Sequence, residues 1–161
     1  MHISKAKLDF VATVAEIVAA AGVMISVIYL AIQIDGSNKE LRAQSFNDSL
    51  ANVHRPLELL VADPVLSEVV RQGNADPDSL TEAEWYRFLR WQLLRFDGYE
   101  YTYYANKSES IPPELWLGMD SSFTHDIRTY PGIRRFWTEY GHAFAEPFHS
   151  YVDSRFTEPA P

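Results

Sequence analysis

His142, Glu146 and His149 carry the donor types, at i, i+4 and i+7, with which one helical face can hold a divalent metal. Glu146-Pro147-Phe148-His149 also has the Glu-x-x-His form found in carboxylate-bridged di-iron bundles, which need two such elements where this chain has one. Pro147 interrupts any helix that the two histidines could share, so the expectation is no metal and a set of surface or capping residues around a helix break. Arg90 and Arg95, with Tyr99, Tyr103 and Tyr104 at helical spacing behind them, are candidates for a pocket that takes an anionic ligand. Asp97 and Glu100 lie in the same stretch. Because buried charges must be paired, an internal ion-pair network among these four is the structural expectation. His125-Asp126 resembles a catalytic dyad only on paper, since adjacent helical residues point about 100° apart and no nucleophile elbow accompanies them. The chain has no cysteine, which removes thiolate catalysis, disulfides and cysteine-held zinc or iron–sulfur centres. No cofactor motif and no catalytic residue emerge, and the chain leans away from being an enzyme.

The elements that must position these side chains read as helices. An amphipathic pattern runs through Phe46, Leu50, Val53, Leu57 and Leu60, after a soft junction at Asp35-Gly36-Ser37-Asn38, and Pro56 is expected to kink or break it. Asp63-Pro64 supplies a cap and an N1 proline for a short helix ending near Gly73. Thr81 and Glu84 form a capping box, with Leu80 and Trp85 as its hydrophobic staple. The helix they open is apolar on more than one side, which places it at the centre of its domain. Pro112-Pro113 and Pro131-Gly132 restart two more helices, and Phe144, Phe148, Tyr151, Val152 and Phe156 mark a last one. Trp85, Trp116 and Trp137 are expected in the core. There is no strand alternation and no hairpin dipeptide, so the fold class is all-α: a bundle of about five helices behind an N-terminal transmembrane helix.

That first helix is the strongest pattern in the chain. A helix over Leu8 to Ile34 spans roughly 40 Å, enough to cross the hydrocarbon core of a bilayer. Between Ile17 and Ile32 there is no charge, and the large aliphatic residues contribute roughly −2 to −5 kcal/mol to insertion. Glu16 opposes this by about 3 kcal/mol at most, less where it reaches the interface or is protonated. Ala19-Ala20-Ala21-Gly22 resembles a cleavage site, but the strongest apolar run follows it, which is the wrong order for a signal peptide and favours an uncleaved anchor. Ala12, Ala15, Ala19, Gly22, Ser26, Tyr29 and Gln33 recur at alternating spacings of three and four, one small and polar seam flanked by Glu16. Small residues let a second helix approach closely inside a bilayer, so the expected partners are the lipid bilayer and another transmembrane helix, from a second copy or a different protein.

Domain boundaries follow: residues 1–36 an anchor, residues 37–156 an all-α domain, residues 157–161 a tail. Lys5 and Lys7 cancel Asp9 and Glu16, so the net charge of −8 belongs wholly to the part beyond the apolar run that ends at Ile34. An acidic domain is repelled by phosphate backbones and anionic headgroups, which excludes nucleic acid as a partner. Lysines and arginines flank the span almost evenly, and the positive-inside rule has little to grip.

Ala15-Glu16-Ile17, the stretch Ile28-Tyr29-Leu30-Ala31-Ile32-Gln33-Ile34, Asn38 with Leu41-Arg42-Ala43, the tyrosine-rich Tyr99 to Tyr104, Glu114-Leu115-Trp116 and Pro131-Gly132-Ile133-Arg134-Arg135-Phe136-Trp137 together cover most of the chain. On these residues it resembles a widespread family of small, uncharacterised bacterial proteins with one N-terminal hydrophobic helix and an all-α domain. The resemblance implies a single-span inner-membrane protein with its domain in the cytoplasm, and implies no activity. The leading expectation is an accessory or interaction subunit that docks through its seam and its helical domain. Two others stand beside it: a homo-oligomeric channel or proton pathway using Glu16, and a helical sensor or enzyme built on the Arg90/Arg95 pocket or on His142, Glu146 and His149.

Overall fold

The computed structural model describes residues 5–157. Among them every regular element is helical and there is no strand. The order is α1 (Lys5–Ala62), α2 (Pro64–Ala75), α3 (Glu82–Lys107), α4 (Pro113–Thr129), α5 (Pro131–Tyr140) and α6 (Phe148–Thr157), with single 3-10 turns at Pro77–Ser79 and Gly141–Ala143. The chain divides into two units, Met1–Leu41 and Arg42–Pro161. Residues 158–161 of the expected tail lie outside the described residues.

In the first unit the residues from 12 to 41 are all exposed, among them Ile17, Val18, Val23, Ile25, Ile28, Leu30 and Ile32. The segment Ala12–Ala62 is long enough, and over part of its length apolar enough with a mean hydropathy of 2.3, to cross a membrane.

The expected junction at Asp35–Asn38 is not there: α1 runs through it without a break. A glycine inside a helix costs only about 1 kcal/mol, and Asp35 pairs with Lys39 one turn on, at 2.7 Å, in the favourable order. Nor does Pro56 end the helix, and packing against α3 explains why. Pro56 has no N–H to offer the carbonyl of Asn52, and Gly98 of α3 approaches that carbonyl so closely that a Cβ would lie 2.7 Å from it. The carbonyl of Pro56 itself accepts from the indole Nε1 of Trp91 at 3.0 Å. The proline sits fully buried at this crossing.

The other starts follow the local signals. The Asp63 carboxylate accepts from the backbone N–H groups of Val65 and Leu66 at 2.9 and 3.1 Å, with Pro64 at N1. Thr81 and Glu84 form the reciprocal capping box, and Leu80 and Trp85 pack half-buried on the core. α2 continues past Gly73 to Ala75, where the Asp76 N–H closes on the Gln72 carbonyl at 2.7 Å. The last helix begins later than its apolar pattern suggests. Phe144 lies in the turn before it, and Pro147, behind a cis peptide bond, precedes Phe148.

α3 is central. Phe88, Leu89, Trp91, Phe96, Tyr99 and Tyr103 from its several sides are all buried. Phe96 packs against Phe123, Phe136 and Trp137 with ring centroids 4.8, 4.9 and 5.3 Å apart, which ties α4 and α5 to it. Trp116 and Trp137 are core residues, while Trp85 is half-buried beneath Arg135, whose guanidinium lies 4.1 Å from the ring centroid. α2 and α5 meet at Gly73 and Gly132, with the Phe88 ring against both.

The C-terminus of α3 has a Schellman closure, with Ser110 N–H on the Ala105 carbonyl at 2.8 Å and Glu109 N–H on the Asn106 carbonyl at 3.0 Å. Its left-handed position is taken by Glu109 at φ 54°, where glycine is favoured. Glu109→Gly is therefore expected to stabilise the protein by about 1 kcal/mol. A urea midpoint no higher than that of the parent would refute it.

Candidate functional site

Arg95 and Tyr99 stand one turn apart on α3 and face the same way, as the i, i+4 spacing requires. Across from them α4 presents Leu115, Met119, Phe123 and Asp126, and the end of α1 closes the third side with Leu50, Val53, Leu57 and Leu60. Between these walls lies a cavity of about 600 Å³. It belongs wholly to the second unit.

Arg95 is a largely buried cation in its lining. Its side chain is only 16% exposed and its Nη2 is bonded to Asp126 Oδ2. The guanidinium carbon lies 4.9 Å from the Phe123 ring centroid and 5.7 Å from that of Trp91. Burial pushes the Arg95 pKa down and the Asp126 carboxylate opposes it, so the cation is held by one ion pair and two ring faces.

Behind Tyr99 a second polar cluster joins three helices. Asp120 of α4 accepts from the Tyr99 hydroxyl and from the Tyr151 hydroxyl of α6 at 2.6 Å on one oxygen, and from Arg155 Nη2 at 2.9 Å on the other. Tyr99 lies against Phe123 at 3.7 Å between ring centroids, and Arg128 Nε adds a bond to the Arg155 carbonyl at 2.7 Å. Burial, and then the bond to Asp120, raises both hydroxyls, Tyr151 to about 12.

A tyrosine whose folded value lies above its unfolded value of about 10 contributes stability that is whole below that pH. That stability is lost as pH rises through the folded value. Urea midpoints are thus expected to fall between about pH 10 and 12. Tyr151→Phe should flatten that fall, and an unchanged slope in the variant would remove Tyr151 as its source.

The structure brings together only part of what the sequence proposes. Arg95 and Tyr99 share the cavity. Arg90 is exposed, its guanidinium 4.9 Å from the Tyr86 ring centroid. Tyr103 is buried in the aromatic core, 4.7 Å from Tyr151 between ring centroids, and Tyr104 donates to the Glu146 carbonyl at 3.3 Å. Arg90, Arg95, Asp97 and Glu100 do not pair with one another. They project at different angles around a single helix, and the acid that faces Arg95 comes from α4.

His142 is exposed in the turn before Phe144, whereas His149 lies on α6 against Trp137, with Nδ1 3.5 Å from Asp153 and 3.7 Å from Glu146. Among the described residues no three His, Asp or Glu side chains form a group that could hold a metal ion. His125 is exposed and does not share the role of its neighbour Asp126. On α1 the seam residues Ala12, Ala15, Glu16, Ala19, Gly22, Ser26, Tyr29 and Gln33 are exposed, and a Cβ at Gly22 meets nothing within 4 Å.

Sequence reasoning missed Asp120 and Arg155, took Tyr151 only as a marker of the last helix, and weighed Asp126 only beside His125. A signal existed for Asp120: it falls one turn after Trp116 and three residues before Phe123, inside the apolar stripe of α4, where a carboxylate must find partners. Comparisons of this chain with protein-family models, with curated proteins and with solved structures find no match.

Proposed function

We propose that this chain is a single-pass protein of the bacterial inner membrane that works as an accessory subunit. α1 docks against a transmembrane helix of a partner through the seam from Ala12 to Gln33, and the acidic helical domain, on the cytoplasmic side, touches the same partner. One observation carries this reading: a run of large aliphatic side chains in the first unit is exposed around the whole helix. Water opposes such a surface at about 25 cal/mol per Å², whereas lipid tails solvate it. The Ser26 hydroxyl, which lipid could not satisfy, donates to the Gly22 carbonyl at 2.8 Å. Gly22 and Ala19 supply the room that a second backbone needs.

The protein is expected to stay in the membrane, at full length, through an alkaline carbonate wash. In mild detergent Gly22→Leu or Ala19→Leu should lower recovery of the co-purifying partner at least tenfold while leaving the helix content unchanged. Release by carbonate, a processed N-terminus, or leucine variants that keep the partner and size of the parent would each overturn the proposal.

A further inference from the structure

The cavity between α1, α3 and α4 goes beyond that reading. We infer that it is a binding site for a small uncharged molecule with a largely apolar body and one polar edge that sets a hydrogen-bond donor beside an acceptor, as a carboxamide does.

Size and lining give the first half of this. About 600 Å³ is within the range of pockets that enclose whole small molecules. Two walls are aliphatic and aromatic: Leu50, Val53 and Leu57 on α1, and Leu115, Met119 and Phe123 on α4. An apolar body fits these walls; the polar residues on them, His54, Glu114 and Ser122, are exposed.

The third wall gives the second half. A guanidinium has five N–H donors and a carboxylate about four acceptor sites, and the Arg95–Asp126 bond between Nη2 and Oδ2 uses one of each. Both residues line the cavity, so donors and acceptors lie side by side in its wall, held together by the ion pair. Their charges cancel. Glu114 also lines the cavity, at an exposed position, so a ligand carboxylate would meet a second carboxylate beside the already paired Asp126, and a ligand ammonium would have to sit against the guanidinium. An uncharged edge that accepts from Arg95 and donates to Asp126 meets neither penalty.

Gly118 makes the site testable without disturbing its chemistry. It lines the cavity at an exposed position, and a Cβ built on it meets nothing within 4 Å, so a larger side chain at this edge displaces no neighbour.

The chain has three methionines: Met1, Met24 in the apolar run, and Met119 in the cavity wall. Methyl-labelled methionine in the detergent-purified full chain thus reports the site and the micelle separately. Titration with 2-naphthamide is expected to move the Met119 methyl signal saturably and leave Met24 in place. 2-Naphthoate and 2-naphthylmethylammonium should bind at least tenfold more weakly, and Gly118→Leu should weaken 2-naphthamide at least tenfold with helix content intact. A Met119 signal that never moves, one that drifts together with Met24 as the probe dissolves in detergent, or charged probes that match the amide would overturn the inference. So would undiminished amide binding in a folded Gly118→Leu protein.

Discussion

Gly132→Ala is expected to unfold the domain of residues 42–161, or to leave it folded only at low temperature. A Cβ on Gly132 would lie 1.9 Å from the carbonyl oxygen of Gly73, 2.7 Å from its carbonyl carbon and 3.1 Å from the Phe88 ring. Two of those atoms are backbone of α2, so no rotamer change relieves the overlap. Relief requires α2 and α5 to separate, and with them the contact each makes with Phe88, a side chain with no exposed surface. Forcing atoms into a close-packed core costs 1–3 kcal/mol where side chains can yield, and about 3 kcal/mol or more is expected where backbone is the obstacle. That is a large part of the stability of a domain this size.

Backbone dihedrals do not enter, because no described glycine has a positive φ. Gly118→Ala separates crowding from any general effect of replacing a helical glycine. Its Cβ meets nothing within 4 Å, so the variant should melt at or slightly above the parent temperature. Circular dichroism melts of both variants decide the matter, and equal melting points would mean that α2 and α5 are not in contact as described.

The same contrast shows what the sequence could and could not say. Asp63-Pro64 and Thr81-x-x-Glu84 are local devices in which each partner lies within three residues of the other, and both form as their spacing predicts. The all-α class follows equally from local periodicity. Gly73 and Gly132 look like ordinary turn or breaker residues, because what they do depends on a helix crossing between segments far apart in the chain. Pro56 misleads for the same reason: its cost to α1 is met by Trp91 and Gly98, which no local rule can see.

The candidate site divides along this line too. Arg95 and Tyr99 are neighbours on one helix and their shared face is legible, whereas Asp126 is 31 residues from Arg95 and Arg155 is 35 residues from Asp120. The span between Ile17 and Ile32 stands at the other extreme. Its composition alone predicts what is found there, a helix long and apolar enough to cross a membrane.

Asp120→Ala is the second change expected to be severe. The carboxylate is 13% exposed and takes two tyrosine hydroxyls and one guanidinium from α3 and α6. Alanine removes the acceptor that these three groups share, while Arg155 Nη2 keeps its bond to the Tyr151 hydroxyl. Taking one member from a buried, charged cluster costs about 3–5 kcal/mol, most of it desolvation that is no longer compensated. Asp120→Asn keeps an acceptor for the hydroxyls but turns an amide towards Arg155, and should fall between the two.

Adding Arg155→Met to Asp120→Ala should recover part of the loss, because a cation that has lost its carboxylate goes with it. A double variant no more stable than the single one would show that the guanidinium finds other solvation once Asp120 is gone. Tyr151 supplies a readout that general loosening would not give. Asp120 is, after burial, the main reason its hydroxyl is held up at about 12, so an ultraviolet titration of the folded Asp120→Asn protein should place that tyrosine lower. If it does not move while the stability falls, Asp120 braces α4 against α6 by packing alone, and the cluster around it is not the electrostatic joint of the bundle.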